Sequence, residues 1–324
     1  MNAFRFLLCL AWLATVHLPA AQAQTKWDLP AGYAVSSFQT QNLNQFATDV
    51  DKATNGKLKI AVHPGASLFK LPEIKRAVMS GQAPIGETVL IAHQNEWQIF
   101  GADAQPFLAA SYDEAQKLYR AQRPLLERKL AQQGLMLLYT VPWPPQGMFS
   151  KKPVASGADL KGMKWRSYSP ATSRLGELMG ANPVTVQAAE LSQALATGVV
   201  EAFMTSPTTG VETKVWESVK YYYNLQAWLP KNAVLVNKRA FDALDKATQD
   251  ALLKSAAAAE TRGWAASVAE NANALAVLKS RGISIETPSQ RLNADMHRMG
   301  DVLLKEWSEN AGREGAELLQ AYRQ

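Results

Sequence analysis

An arginine and a tyrosine two residues apart are the side chains of this sequence whose types most clearly suggest a binding chemistry. They belong to the stretch DLKGMKWRSYSP, residues 159–170. A strand over residues 163–168 places Arg166 and Tyr168 on one face, because side chains alternate along a strand. A guanidinium group offers paired donors that match the two oxygens of a carboxylate, and a phenol adds a third hydrogen bond. The pattern therefore suggests a carboxylate site, although spacing alone more often indicates a solvent-exposed arginine.

The residue types that usually carry catalysis or metal binding do not form motifs here. The sequence contains four histidines and one cysteine, and none of the histidines lies in an HExxH pattern or beside another ligand at helical spacing. GxSxG, P-loop and strand-linked GxGxxG patterns are also missing from the sequence. We therefore predict no catalytic residue, no metal and no cofactor, while an enzyme with residues dispersed along the chain stays open.

The first 23 residues have the composition of a secretory signal peptide. Arg5 supplies a positive charge, residues 6–16 are almost entirely apolar, and Ala21 and Ala23 form a small-residue cleavage site. We expect export to the periplasm after cleavage, the alternative being an uncleaved anchor. Cleavage removes Cys9, the only cysteine, so the mature chain has no disulfide and no thiol chemistry.

The composition is that of a globular protein with a modest basic excess. The chain has 324 residues, of which 47% are hydrophobic, and its net charge is +6. This length is typical of two domains. The basic residues are scattered, which disfavours a nucleic-acid surface and favours a solvated surface or an anionic ligand.

Strand and helix patterns alternate along the first two thirds of the chain. Short connections between them favour α/β domains with largely parallel sheets. The predicted strands cover residues 33–38, 57–63, 85–92, 136–141 and 163–168, and the predicted helices cover residues 42–54, 72–80, 113–132 and 188–197. The proline-rich residues 142–145 predict a rigid crossover between domains.

The last third of the chain is helical. Residues 246–280 contain no proline and one internal glycine, which predicts one long helix or two nearly continuous ones. Residues 292–323 predict one or two amphipathic helices. A helix of this length could contact both domains.

Several ordered motifs resemble those of the extracytoplasmic solute receptors of TRAP transporters, the DctP-type family. The family pattern includes a DLKG-x-K-x-R strand, a G-A-x-P turn, an E-L-x-x-A-L-x-T-G-x-V helix and a loop beyond it. The matching segments are residues 159–166, 180–183, 189–201 and 205–207, with further matches at residues 57–60, 105–108, 214–217 and 233–244. The resemblance spans essentially the whole mature chain.

The resemblance implies a two-domain, periplasmic-binding-protein-like α/β fold with a long C-terminal helix bracing both lobes. The first lobe is then residues 24–145 with 233–270, and the second is residues 146–232 with 271–324. It also implies a periplasmic receptor that does no bond chemistry. Its partners are a small organic acid and the membrane subunits of a TRAP permease.

The family pattern assigns roles to individual positions. Arg166 matches the arginine that clamps the ligand carboxylate in similar receptors. Thr205, followed by Ser206, stands where the family commonly has an asparagine, and Asn232 occupies a polar cleft position. Phe38 and Glu87 are expected to contribute to the cleft wall.

Two departures from the family pattern shape the expected ligand. Where many relatives have a second arginine, this chain has a segment that includes Trp143 and Gln146, and Ala188 replaces a common aromatic residue. A second carboxylate would have no cationic partner, so we expect a monocarboxylate that carries hydroxyl or apolar groups. Trp143 and Tyr168 could pack against an apolar or ring portion.

Three alternatives remain at this point. The chain could be a periplasmic enzyme acting on a small acid. It could serve another uptake system, such as an ABC or tripartite tricarboxylate transporter. It could also be a sensing receptor that signals to a partner instead of a permease.

Overall fold

The computed structural model describes residues 24–324, so the predicted signal peptide lies outside the described residues. The strands are β1 (Thr25–Pro30), β2 (Leu58–His63), β3 (Ile85–Val89), β4 (Leu135–Pro142), β5 (Gly147–Ser150), β6 (Lys164–Ser167), β7 (Asn182–Thr185), β8 (Ala202–Thr205), β9 (Tyr221–Tyr223), β10 (Lys231–Asn237) and β11 (Ser284–Glu286). The helices are α1 (Phe38–Ala53), α2 (Ile74–Met79), α3 (Tyr112–Gln132), α4 (Pro170–Leu178), α5 (Leu191–Ala196), α6 (Pro207–Glu212), α7 (Lys238–Asp242), α8 (Lys246–Ser280) and α9 (Gln290–Arg323).

The strands form two separate bodies, which we call the first and the second lobe. The first lobe contains the three-stranded sheet β3-β10-β4 and the pair β1-β2. The second lobe contains a six-stranded sheet in the order β11-β9-β5-β8-β6-β7. The chain passes from the first lobe to the second between β4 and β5, and it returns between β9 and β10. The predicted two-lobed α/β fold is confirmed.

The expectation of largely parallel sheets is wrong. Parallel pairs join β1 to β2, β6 to β7 and β8, and β9 to β11. However, β10 runs antiparallel to β3 and β4, and β5 runs antiparallel to β8 and β9. Both antiparallel strands belong to chain segments that have just crossed from the other lobe. Strands β5 and β10 therefore start at the edge of their sheet that faces the other lobe. The neighbouring strands run in the opposite direction, so the pairs are antiparallel.

The first predicted strand is also misplaced. Residues 33–37 form a loop in which the Ser37 N–H donates to the Ala34 carbonyl at 3.0 Å, and Phe38 begins α1. The strand instead covers Thr25–Pro30 and pairs with β2, with Trp27 opposite Ile60. The end of α1 is as predicted, because Asn55 and Gly56 take positive φ values of 51° and 79°.

Helix α8 is a single helix of 35 residues that contacts both lobes. It begins at an Asp245 cap, whose carboxylate accepts from the Thr248 N–H at 2.9 Å. It packs against α1 and β4 in the first lobe and against α6 and β11 in the second. Its one glycine allows a close approach, since a Cβ atom at Gly263 would lie 2.4 Å from Val141 Cγ2. The predicted bracing helix is confirmed.

Helix α9 contains a break at Gly312, where φ is 56° and ψ is −133°. Trp307 and Leu318, on either side of the break, pack into an apolar cluster of the first lobe. Glu306 accepts from Arg174 of α4 at 2.8 Å, so α9 also contacts the second lobe. None of the helices within residues 24–324 combines the length and apolar character needed to cross a bilayer.

Candidate functional site

A small cavity of about 40 Å³ lies between the two lobes. The first lobe, the second lobe and the two crossovers each supply part of its wall. The lining residues are Tyr33, Leu71, Val89, Trp143, Gln146, Arg166, Tyr168, Gln187, Ala188, Thr205, Thr209 and Pro230. Crevices between lobes are common ligand sites, and this wall joins apolar side chains to a few polar ones.

Arg166 lies on β6 and is the one charged side chain among these lining residues. It is 3% exposed, and burial lowers its pKa to about 10, so it stays protonated at neutral pH. Its Nε donates to the Val186 carbonyl at 2.9 Å, whereas Nη1 is buried without a partner. An anchored guanidinium with a buried, unused donor has the chemistry of an anion clamp.

The ring of Tyr168 packs against the guanidinium group of Arg166. The Arg166 guanidinium carbon lies 5.0 Å from the centre of the Tyr168 ring, within the range of a cation–π contact. The Tyr168 hydroxyl donates to Gln146 Oε1 and accepts from Trp228 Nε1, both at 3.4 Å. Burial raises the Tyr168 pKa to about 12, so its hydroxyl keeps its proton. The pair therefore presents positive charge and one neutral hydroxyl group.

The two crossovers run side by side and are hydrogen-bonded to each other, and together they form one wall of the cavity. The Trp143 N–H donates to the Pro230 carbonyl at 2.8 Å, and the Gln146 N–H donates to the Trp228 carbonyl at 2.9 Å. The prolines of the first crossover have no amide donor, so the remaining amides carry these bonds.

Asn232 lies behind that wall and fixes its aromatic side chains. Its Oδ1 accepts from Trp143 Nε1 at 2.9 Å and from the Tyr33 hydroxyl at 3.4 Å. The Phe38 ring packs edge-on against Trp143 with centroids 5.3 Å apart. Asn232 and Phe38 are therefore placed to support the wall, while Trp143 and Tyr33 line the cavity.

The end of β8 contributes a patch of hydroxyl groups. Thr205 lines the cavity, and so does Thr209 one helical turn later. Ser206 instead caps α6, accepting from the Thr209 N–H at 3.1 Å, and its side chain is fully buried. The Ser-Pro pair after the strand thus starts the helix that places Thr209 on the wall.

Glu87 lies on β3 and does not line the cavity. It is 2% exposed, and its Oε2 has no hydrogen-bond partner. Burial raises the pKa of Glu87 to about 7, and the neighbouring Asn232 side chain partly offsets this increase. Among the residues the structure describes, no group of three histidine, cysteine or acidic side chains could hold a metal ion.

Of the nine predicted site residues, five line the cavity: Trp143, Gln146, Arg166, Tyr168 and Thr205. Four lie behind or beside it: Phe38, Glu87, Ser206 and Asn232. Sequence reasoning did not place six further lining residues at the site: Tyr33, Leu71, Val89, Gln187, Thr209 and Pro230. The position of Thr209 could have been predicted from the Ser206-Pro207 pair. A serine followed by proline is typical of a helix N-terminus, and the side chain of the third helical residue then points back toward the capping residue.

Comparison with known proteins identifies the family. Residues 32–310 match the model of the DctP family, described as bacterial extracellular solute-binding protein, family 7. The chain belongs to this family.

Solved structures of the family give the same fold. The Bordetella pertussis receptor DctP6, which binds pyroglutamic acid, is 52% identical with a TM-score of 0.91 over 92% of this chain and 99% of its own. DctP7 of the same organism, also a pyroglutamic acid receptor, is 44% identical with a TM-score of 0.91 over 93% of this chain and 100% of its own.

A curated relative is the C4-dicarboxylate-binding periplasmic protein DctP of Rhodobacter capsulatus. It is 26% identical over 91% of this chain and 86% of its own length. The protein is thus a TRAP solute receptor, and its family consists of solute-binding proteins and not of enzymes.

Proposed function

We propose that this DctP-family receptor binds pyroglutamate, or a closely similar five-membered cyclic monocarboxylate, and delivers it to a TRAP permease in the inner membrane. The observation that carries the proposal is Arg166, a buried guanidinium with an unpartnered Nη1 in a small and otherwise uncharged cavity. A ligand carboxylate supplies the missing acceptor and the missing negative charge.

The charges around the cavity favour one carboxylate over two. Lys164, on the same strand as Arg166, is exposed and donates to the Gly198 carbonyl at 2.8 Å. Lys231 is fully buried, but its Nζ lies 3.0 Å from Asp103 and is neutralised there. A second buried carboxylate would therefore meet no free cation at the cavity wall and would incur a desolvation cost of several kcal/mol.

The rest of the wall suits a compact ring with a neutral amide. Leu71, Val89 and Pro230 supply apolar surface, and Trp143 supplies a flat face. Hydroxyl and amide groups, from Tyr168, Gln146, Thr205 and Thr209, can pair with the N–H and C=O of a lactam. Two relatives that are 52% and 44% identical bind pyroglutamic acid, which supports the same ligand class here.

Capture follows from the position of the cavity between two lobes. When the lobes close, water leaves the crevice and the attraction between Arg166 and the ligand carboxylate strengthens in the lower dielectric. The crossovers at residues 142–145 and 229–232 are where the lobes can move relative to each other. We infer that the protein makes and breaks no covalent bond in the ligand.

Calorimetric titration of the mature protein tests the ligand. We expect tight, one-to-one binding of L-pyroglutamate and much weaker binding of succinate, which has a second carboxylate. Cyclopentanecarboxylate keeps the ring and the acid but lacks the amide, so it should bind more weakly than pyroglutamate. L-Proline should also bind weakly, because its ring ammonium would meet the buried cation of Arg166. Tightest binding of succinate would refute the monocarboxylate proposal.

The same samples test the alternative of an enzyme. Nuclear magnetic resonance of pyroglutamate incubated with stoichiometric protein should show the ligand unchanged after hours. Formation of glutamate or another product would favour a periplasmic enzyme. Export is tested separately, since the full-length chain should appear in the periplasmic fraction shortened by the 23 residues of the predicted signal peptide.

A further inference from the structure

A buried ion pair lies where the second crossover joins β10. Lys231, the first residue of β10, directly follows the cavity residue Pro230. Its Nζ lies 3.0 Å from Oδ2 of Asp103, and the two side chains are 0% and 1% exposed. Neither side chain lines the cavity. Replacing such a pair by apolar side chains of similar size often leaves a protein equally stable, so stability alone does not account for this one.

The carboxylate of Asp103 also holds the backbone of the crossover. The Lys231 N–H donates to the same Oδ2 at 2.8 Å. The other oxygen, Oδ1, is buried and has no partner among the described residues, and Lys231 Nζ makes no hydrogen bond of good geometry there. The backbone bond is therefore the well-formed interaction, and the ammonium group compensates the charge of the buried acceptor.

The first-lobe segment that carries Asp103 makes a second contact with the same crossover. The Phe107 N–H donates to the Ala227 carbonyl at 2.7 Å. Phe107 has a φ of 62°, and a bulky residue keeps such a conformation only where its surroundings hold it. It belongs to residues 105–108, which match the family pattern. The segment thus bonds to both ends of residues 227–231.

The first crossover holds the other side of residues 227–231. The Ala227 N–H donates to the Gln146 carbonyl at 2.9 Å, and the Trp143 N–H donates to the Pro230 carbonyl at 2.8 Å. This part of the second crossover therefore lies between the first crossover and the first-lobe segment. Because Pro230 and Trp143 line the cavity, a displacement at its end would move the wall.

We propose that Asp103 is a positioning residue for ligand binding. Through its hydrogen bond to the Lys231 N–H, it holds the wall of the second crossover, with Pro230, against the ligand. Lys231 compensates the charge of this buried acceptor and does not itself contact the ligand. This inference rests on the proposed function, because it concerns the wall that encloses the bound acid.

The expected size follows from the share of molecules in which the wall is in place. A buried N–H that has lost its acceptor favours conformations in which it reaches water or another acceptor. The cost of such a group corresponds to a factor of roughly 5 to 150 in a conformational equilibrium. Affinity falls with the fraction of the free protein that is competent to bind, so we expect the Kd to rise by about fivefold to fiftyfold.

Two double variants separate the hydrogen bond from the charge pair. Asp103→Asn with Lys231→Met removes both charges but keeps a side-chain oxygen that accepts from the backbone N–H of residue 231. Asp103→Leu with Lys231→Met removes the charges and the acceptor. In calorimetric titration with L-pyroglutamate, the asparagine variant should keep the wild-type Kd, whereas the leucine variant should show the rise.

Leu58→Ala is the matched control for a loss of stability. Leu58 is fully buried at the start of β2, which packs on β1 and α1. The substitution should lower the unfolding temperature and leave the Kd unchanged. If Asp103 only stabilised the fold, the leucine variant would behave in the same way as this control.

Amide hydrogen exchange of the ligand-free proteins gives a readout that needs no ligand. Peptides that contain residues 142–146 and 226–232 should exchange faster in the leucine variant than in the wild type and the asparagine variant, because the bonds between the crossovers open more often. Peptides of α8 should exchange at the wild-type rate in all three proteins.

The outcomes separate this inference from the proposed function. If the wild type does not bind L-pyroglutamate, the proposed ligand is overturned, and hydrogen exchange still decides the role of Asp103. Wild-type affinity or wild-type exchange of the wall in the leucine variant overturns the inference. An asparagine variant that loses as much affinity as the leucine variant assigns the effect to the charge pair, which also overturns it. If the leucine variant does not fold, Asp103→Ala with Lys231→Met replaces it under the same criteria.

Discussion

Replacement of Arg166 by methionine should separate binding from stability. The methionine side chain fills much of the same space without charge, and it removes the donor that we assign to the ligand carboxylate. Truncating one partner of a buried charge pair typically costs about 2–5 kcal/mol, which is roughly 30-fold to 4000-fold in affinity. We expect a loss of pyroglutamate affinity within this range.

The same substitution should not lower the stability of the ligand-free protein. Burial lowers the Arg166 pKa from its usual value to about 10, which corresponds to roughly 3 kcal/mol of cost in keeping the guanidinium charged. Loss of the hydrogen bond from the charged guanidinium to the Val186 carbonyl offsets about 1.5–3 kcal/mol of that. The ligand-free Arg166→Met protein should therefore unfold at the same temperature as the wild type or slightly higher.

Thermal unfolding with and without ligand measures both effects in one series. A ligand at 100 times its wild-type Kd stabilises the wild type by about 2.7 kcal/mol, and at the same concentration this stabilisation should fall to about 0.9 kcal/mol or less in the variant. Arg166→Lys is the matched control, because it keeps the charge but loses the planar pair of donors. It should bind with an affinity between the other two. Wild-type affinity in Arg166→Met would refute the assignment of this residue as the clamp, and a large loss of stability would refute the argument from burial.

Three further predictions concern the lobes and the wall. Saturating pyroglutamate should reduce the radius of gyration in small-angle scattering, and an unchanged profile would contradict closure of the lobes. Gly263→Ala should lower the free energy of unfolding by about 1–3 kcal/mol in urea denaturation, because the added methyl group would lie 2.4 Å from Val141 Cγ2. Ala188→Phe should weaken pyroglutamate binding by filling a cavity of only about 40 Å³; unchanged affinity would place the ligand elsewhere.

The sequence predicted elements well where one physical signal acted over many residues. Helix α8 covers the predicted residues 246–280, since a proline-free, alanine-rich stretch has few alternatives to a helix. The alternation along β6 correctly predicted that the side chain of Arg166 lies beside that of Tyr168, the residue that follows the strand, because alternation is a local property of a strand.

The cavity wall was harder to predict because its two sides are distant in the chain. Leu71 and Val89 of the first lobe line the same cavity as Thr209 of the second, and no local pattern reports a contact across a crevice. The apolar neighbours of Tyr33 favour a strand, whereas Tyr33 lies in the loop before α1. Hydrogen bonding and packing with β2 decided where the first strand falls, and those forces depend on tertiary structure.

The buried face of α8 has a further consequence for the rate of closure. Between Ser255 and Ala274, its buried residues are all small: Ser255, Ala256, Ala259, Gly263, Ser267 and Ala274. Small side chains leave shallow ridges on a helix, so packed elements can shift along it without forcing large side chains out of their rotamers. The lobes can then turn about the crossovers on the microsecond-to-millisecond scale while α8 shifts only slightly against its neighbours, so closure should require no repacking of large side chains.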